Sequence, residues 1–197
     1  TMDYNPFQRK ISELNRFKAE KGKLLIAEPF MNDFNFSRSV VLLVEFNDDG
    51  AVGFILNKAD NIQLSDVIAD FPEFDAPIYL GGPVETQSLF FIHTKGDLIN
   101  DSVEIQKGLY WNGNLEQVKA MIEQKLVQPN EIKFFLGYSG WDKTQLEEEL
   151  KQNSWLIKES NFETIFSRNQ KLWNEVVADS PKEISIMANF PIDPALN

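Results

Sequence analysis

Ser39-Val40-Val41-Leu42-Leu43-Val44-Glu45-Phe46, then Asn47-Asp48-Asp49-Gly50, then Ala51-Val52-Gly53-Phe54-Ile55-Leu56-Asn57 is the stretch on which the fold turns. Two apolar runs of strand length flank a cluster of turn formers, the pattern of a β-hairpin. The first run is near-continuously apolar. Gly53, inside the second run, marks a bulge or a close pass by a neighbouring backbone.

Upstream, Lys23 to Ala27 reads as a short strand ending at Pro29. Residues 1–22 read as an N-terminal helical extension: Asn5 can cap it, Pro6 suits its first position, and Phe7, Ile11 and Leu14 recur on one face. Downstream, Leu64, Val67, Ile68 and Phe71 mark a short amphipathic helix stopped by Pro72. Ile78 to Leu80 and Leu89 to Thr94 read as strands separated by Gly81-Gly82-Pro83, with shorter ones at Ser102 to Ile105 and Leu109 to Trp111. Asn114 and Gln117 form a capping box for a helix whose apolar face is Leu115, Val118, Ile122 and Leu126. Ile132 to Tyr138, apolar on both faces except at Lys133, reads as a central strand. Asp142 with Gln145 caps the next helix, with Leu146 and Leu150 inward, and Ser167 with Gln170 starts a last one through Leu172 and Val176. Residues 180–197, with three prolines, read as a loosely held tail, which leaves 23–179 as a single domain. Strands come singly and in hairpins, without a strict strand-helix rhythm. The class is therefore α+β with a mixed sheet rather than a doubly wound parallel one.

The totals narrow the function classes. A net charge of -11 with a pI near 4.6 and no basic cluster argues against direct binding to nucleic acid. With no cysteine there is no disulfide, thiolate site or cysteine nucleophile, and the expected location is the cytosol. The longest apolar run, Val40 to Val44, is far too short to cross a membrane. No metal and no cofactor are expected.

Single motifs yield little chemistry. Gly137-Tyr138-Ser139-Gly140 is reminiscent of a nucleophile elbow, but Trp141 stands where its last glycine belongs, and the sole histidine, His93, lies upstream. His93 alternates with Leu89 and Phe91 along its strand and reads as a packed residue; alone it cannot form a multi-histidine metal site. Gly81-Gly82-Pro83 lacks the lysine and hydroxyl of a phosphate loop and reads as a tight turn. Glu147, Glu148 and Glu149 point in different directions around a helix and read as a solvated face. Arg38, at a strand end, could grip a carboxylate or phosphate, or pair within the protein.

Six segments carry a resemblance: Lys23-Leu24-Leu25-Ile26-Ala27-Glu28-Pro29, Phe36-Ser37-Arg38-Ser39-Val40-Val41, Gly50 to Lys58, Leu80-Gly81-Gly82-Pro83-Val84, Ile92-His93-Thr94, and Gly137-Tyr138-Ser139-Gly140-Trp141. In order and spacing they resemble the AlgH/YqgE family, over Lys23 to about Val177. The resemblance implies an α+β fold whose largely antiparallel, bifurcated sheet closes into a pseudo-barrel flanked by helices. It also implies a bacterial family with no established enzymatic activity, some of whose members are labelled transcriptional regulators. This chain departs from the pattern at Phe46, where relatives place a histidine after the glutamate, and at Phe34 and Ala59, where they favour proline. The matching positions are Arg38, Asn57, Gly81, Gly82, His93, Tyr138, Trp141 and Gln145.

The expected function is that of a non-enzymatic regulatory or binding protein acting through a protein partner or small ligand, with Arg38, His93, Tyr138 and Trp141 foremost among the contacts. The alternatives are a hydrolase-like enzyme pairing His93 with carboxylates such as Glu45 or Glu147, and a DNA-associated transcriptional regulator.

Overall fold

The structure, a computed structural model, describes Asn15, residues 17–180 and residues 182–189. The helix expected from Asn5 to Leu14 lies outside the described residues. In chain order the strands are β1 (Leu24–Ala27), β2 (Val40–Asn47), β3 (Gly50–Ile55), β4 (Ala59–Asp60), β5 (Ile78–Leu80), β6 (Val84–His93), β7 (Val103–Gln106), β8 (Leu109–Trp111), β9 (Ile132–Asp142) and β10 (Trp155–Lys158). The helices are α1 (Leu64–Val67), α2 (Leu115–Glu123), α3 (Lys143–Lys151), α4 (Phe162–Ile165), α5 (Leu172–Ala178) and α6 (Lys182–Met187).

The hairpin forms, with Val41 opposite Ile55 and Leu43 opposite Gly53, after which the register slips between Leu43 and Glu45. Both expectations for Gly53 hold: it faces that bulge, and a Cβ there would lie 2.7 Å from Val41 Cγ1 and 2.9 Å from the Leu42 carbonyl oxygen. β1 and β10 extend the sheet beyond β2, and β9 continues it beyond β3.

β9 is where the sheet forks. Its second half pairs with β3 (Gly53 with Ser139, Gly50 with Asp142), while its first half pairs in parallel with β5 (Ile78 with Phe134, Leu80 with Leu136). β6 runs antiparallel to the same first half, and β8 and β7 follow it. The α+β class and the bifurcated, largely antiparallel sheet therefore stand. Closure into a barrel does not, because the outermost strands β10 and β7 share no ladder. Polar groups span that corner instead: Ser160 Oγ donates to the Gly22 carbonyl (2.6 Å), Gln106 Nε2 to Ser160 Oγ (3.4 Å), and Lys21 Nζ to the Glu104 carbonyl (3.0 Å).

Apolar packing falls into three clusters. Alternate residues of β2 supply two of them, which explains its unbroken apolar run: Val40, Leu42 and Val44 face α5 and α6, and Val41 and Leu43 face Trp141, Leu146 and Trp155. The third lies under α1 and α2 around Phe134, Leu136 and Val118.

Three local expectations are corrected. The tail beyond Ser180 is partly structural, since α6 buries Ile184 and the following turn buries Ala188, spaced to share one face. Leu126 lies past the end of α2 and is exposed, and Met121 takes its place in the core. Ser167 does not cap α5, which begins at Leu172 after Asn169 Oδ1 accepts from the Lys171 amide. Both N-caps are present, Asn114 Oδ1 accepting from the Gln117 amide (3.1 Å) and Asp142 Oδ1 from the Gln145 amide (2.8 Å), but neither box closes: Gln117 Oε1 accepts from the Asn100 amide and Gln145 Nε2 donates to Glu149. Among the described residues no helix is long and apolar enough to cross a membrane.

Candidate functional site

The polar residues singled out in the sequence fall into four separate places. Arg38 adopts a left-handed turn (φ 52) before β2, with its guanidinium 4.9 Å from the Trp173 ring centroid. Asn57 joins it there, donating through Nδ2 to the Arg38 carbonyl (2.9 Å) and accepting through Oδ1 from the Val40 amide (2.9 Å). The asparagine thus extends the hairpin ladder past the last paired residues of β2 and β3.

Gly81 and Gly82 form the second place, where two backbones cross. A Cβ on Gly81 would lie 2.4 Å from the Gly137 carbonyl oxygen, and one on Gly137 (φ 70) 2.5 Å from the Gly82 carbonyl oxygen. Ser139, fully buried, donates its hydroxyl to the Gly81 carbonyl (3.0 Å), which also accepts from the Ile55 amide (2.9 Å). Ser139 therefore ties the crossing rather than facing a substrate. Tyr138 lies beside it, edge-on to Phe90 at 5.7 Å. Gly137→Ala is expected to cost about 2 kcal/mol through crowding against immobile backbone and a positive φ, read as a lower urea midpoint; an unchanged midpoint would show that the crossing can relax.

The third place contains Trp141 and Gln145. Trp141 is buried, and its Nε1 donates to Glu149 Oε2 (2.9 Å), which also accepts from Trp155 Nε1 (2.8 Å). Gln145 Nε2 donates to the other oxygen of the same carboxylate (3.3 Å). The reading of Glu147 to Glu149 as a solvated face holds for Glu147 and Glu148 but not for Glu149, which turns inward to serve two indoles.

His93 stands apart as the fourth place and is fully buried. Its Nδ1 accepts from the Lys95 amide (3.1 Å), so Nε2 carries the proton and is directed to the Asn112 carbonyl (2.8 Å) and Ser102 Oγ (3.1 Å). Burial holds its pKa below the ordinary 6.5, against the opposing effect of the Asn112 hydrogen bond. A neutral imidazole with both nitrogens engaged, and with no carboxylate among those partners, is poorly placed for acid-base work.

Lys133 is a buried cation on β9. Its Nζ donates to the carbonyls of Ile165 (3.1 Å) and Ser167 (2.9 Å) and lies 4.1 Å from the Tyr79 ring centroid. Burial, with the positive Arg168 adding to it, pushes its pKa down to about 7. Among the described residues no group of His, Asp and Glu is arranged to hold a metal ion.

The concave surface lies elsewhere, along α3. A hollow of about 350 Å³ is lined by Phe46 and Gly50 of the hairpin and by Lys143, Leu146, Glu147 and Leu150 of α3. A second, of about 490 Å³, adjoins it across Phe46 and Leu150 and continues to Lys151, Asn153, Ile157, Asn15 and Ala19. A third, of about 250 Å³, sits across the hairpin tip and is lined by Glu45, Asp49, Val52 and Trp141. Phe46 is 42% exposed and Leu150 half-buried, so the shared wall is apolar. The hairpin side carries Glu45, Asp48, Asp49 and, across from it, Glu147. Of the eight matching positions only Trp141 lines one of these hollows. Phe46 and Leu150 were legible as apolar positions, but nothing local shows that hairpin and helix meet.

A model of the AlgH-like family matches residues 24–185. A UPF0301 protein of Cytophaga hutchinsonii is 42% identical over 179 residues, 90% of this chain and 98% of its own length. One from Chlorobaculum parvum is 38% identical over 185 residues, 93% of this chain and 99% of its own. Among solved structures, the AlgH protein of Pseudomonas aeruginosa is similar with a TM-score of 0.69 at 28% identity, over 89% of this chain and 98% of that one. A Corynebacterium diphtheriae protein shares the fold with a TM-score of 0.77 at 20% identity, over 93% and 98% of the two chains.

Proposed function

The chain belongs to the AlgH-like family, and from that premise we propose that it is a non-enzymatic binding protein that grips a protein partner in the groove between the β2–β3 hairpin and α3. The observation that carries this reading is the half-exposed Phe46 and the half-buried Leu150, which both line two adjoining hollows. The groove follows α3 from Lys143 to Lys151, about 13 Å of helix. That length suits an amphipathic helix laid along it better than a compact ligand. The chain's net charge of -11 and Glu147 at the groove favour a partner segment with basic flanks, Asp48 being paired with Lys143 at 3.4 Å. Hydrogen bonds within the protein, by contrast, occupy Asn57, Ser139, His93 and Trp141, which supports a structural rather than chemical use of the matched motifs.

The test is photo-cross-linking in cells from an artificial residue at position 46, with exposed Leu126 as the control position. A partner captured from 46, absent from 126 and lost on Leu150→Glu, with its cross-linked segment mapping to a basic amphipathic helix, is the expected result. Equal capture from both positions, or an acidic or extended segment, would overturn it.

A further inference from the structure

We propose that Lys133 is an acceptor for carbon dioxide, its side-chain amine forming a reversible carbamate in the hollow that it shares with Arg168.

Lys133 is the only charged residue in the buried first half of β9 and is 4% exposed. Its Nζ meets the Ile165 and Ser167 carbonyls and the face of Tyr79, but among the described residues it pairs with no carboxylate. Burying an ammonium without a counter-ion is costly. A neutral amine escapes that cost, and its two hydrogens still match the two carbonyls. The lone pair is then left over for an electrophile. With its pKa down to about 7, much of the amine is in this form near neutrality, whereas an ordinary exposed lysine is almost wholly protonated there.

The surroundings select the electrophile. Lys133 and Arg168 line one hollow with Ala76, Pro77, Tyr79 and Phe166, and its volume of about 10 Å³ has room for little more than a single water. Sugars, thioesters and other bulky or charged carbonyl compounds do not fit. Carbon dioxide is three atoms long, uncharged and at home among apolar side chains, so it demands the least rearrangement. In the step, the Nζ lone pair forms a bond to carbon, one C=O π pair moves onto oxygen, and one amine proton passes to solvent. No oxidant or leaving group is needed, and the remaining N–H keeps one of the two carbonyls.

Charge favours the product. As a cation Lys133 is repelled by the neighbouring Arg168; as a carbamate it is attracted. Arg168 also pairs with Asp75 (3.3 Å), but that carboxylate is 90% exposed and screened by water. Tyr79, its pKa raised by burial, stays neutral and adds no charge.

The experiment equilibrates the full chain with isotope-labelled carbon dioxide near neutral pH, fixes carbamates by ethylation with triethyloxonium ion and maps them by peptide mass spectrometry. Label on Lys133 is expected to exceed that on exposed Lys107 at least about tenfold, because far more of the Lys133 amine is neutral. The chain's terminal amine, which titrates near neutrality, is the positive control. Arg168→Met should lower the label on Lys133 about threefold, the weight of a half-exposed ion pair, since it removes both the charge that depresses the amine and the counter-ion of the carbamate. Lys133→Arg, which keeps donors for the carbonyls but stays charged, should abolish the carbamate carbonyl resonance of that site in the unfixed protein. The wild-type mapping needs no variant to fold. Label on the terminal amine with none on Lys133 above the Lys107 level would overturn the proposal, and so would label on Lys133 that Arg168→Met leaves undiminished.

Discussion

Glu149→Leu is expected to lower the stability of the fold by about 4 kcal/mol, because two indole N–H groups lose their shared acceptor at about 2 kcal/mol each. Trp141 and Trp155 are almost fully buried and donate to one carboxylate oxygen, with Phe36 packed 5.7 Å from both rings. Leucine fills the volume but accepts nothing. Glu149→Gln keeps an oxygen in place and loses only the charge, so its cost should be about 1 kcal/mol. Urea unfolding followed by tryptophan fluorescence distinguishes the two. Equal losses for leucine and glutamine would mean that the side chain's bulk, not its acceptor, matters here.

Lys133 sets the second large effect. The unfolded lysine keeps its proton to about 10.5, whereas the folded one releases it at about 7. Between these values the unfolded chain binds more protons, so stability rises with pH; below 7 both states are charged and the cost of burying the ammonium is fully felt. The span corresponds to about 5 kcal/mol. Lys58 and Lys158, lowered by burial, act in the same direction, and Lys23 and Tyr79, both raised, act against it. The comparison must therefore be with Lys133→Met, which is expected to lose most of the rise in urea midpoint between pH 7 and 10. Parallel curves for the two proteins would refute the assignment.

Features decided within a few residues were legible in the sequence. The hairpin, the caps at Asn114 and Asp142, and the β9 run each depend on neighbours along the chain, where turn chemistry and periodicity operate. Distant pairings were not. Glu149 looked solvated because its indole partners sit on the strand before α3 and the strand after it. His93 was readable as packed, but its three hydrogen bonds come from loops and strand ends with no local signature. The groove is the same case: Phe46 and Leu150 are far apart in sequence and come to line the same hollows only because β3 pairs with β9, which leads directly into α3. The open corner of the sheet was missed because a polar bridge between short strands leaves no pattern in hydrophobicity.

The fork at β9 also sets an order of events for a chain leaving the ribosome. Phe135, Trp141 and Phe134, all on that strand, each belong to a different apolar cluster. Until residue 142 has emerged, the hairpin of β2 and β3 can form, but β5 and β6 lack the strand that joins them to it. The nascent protein must therefore carry its most apolar hairpin unshielded through much of its synthesis. Final assembly waits on contacts of long sequence separation, the feature that slows folding.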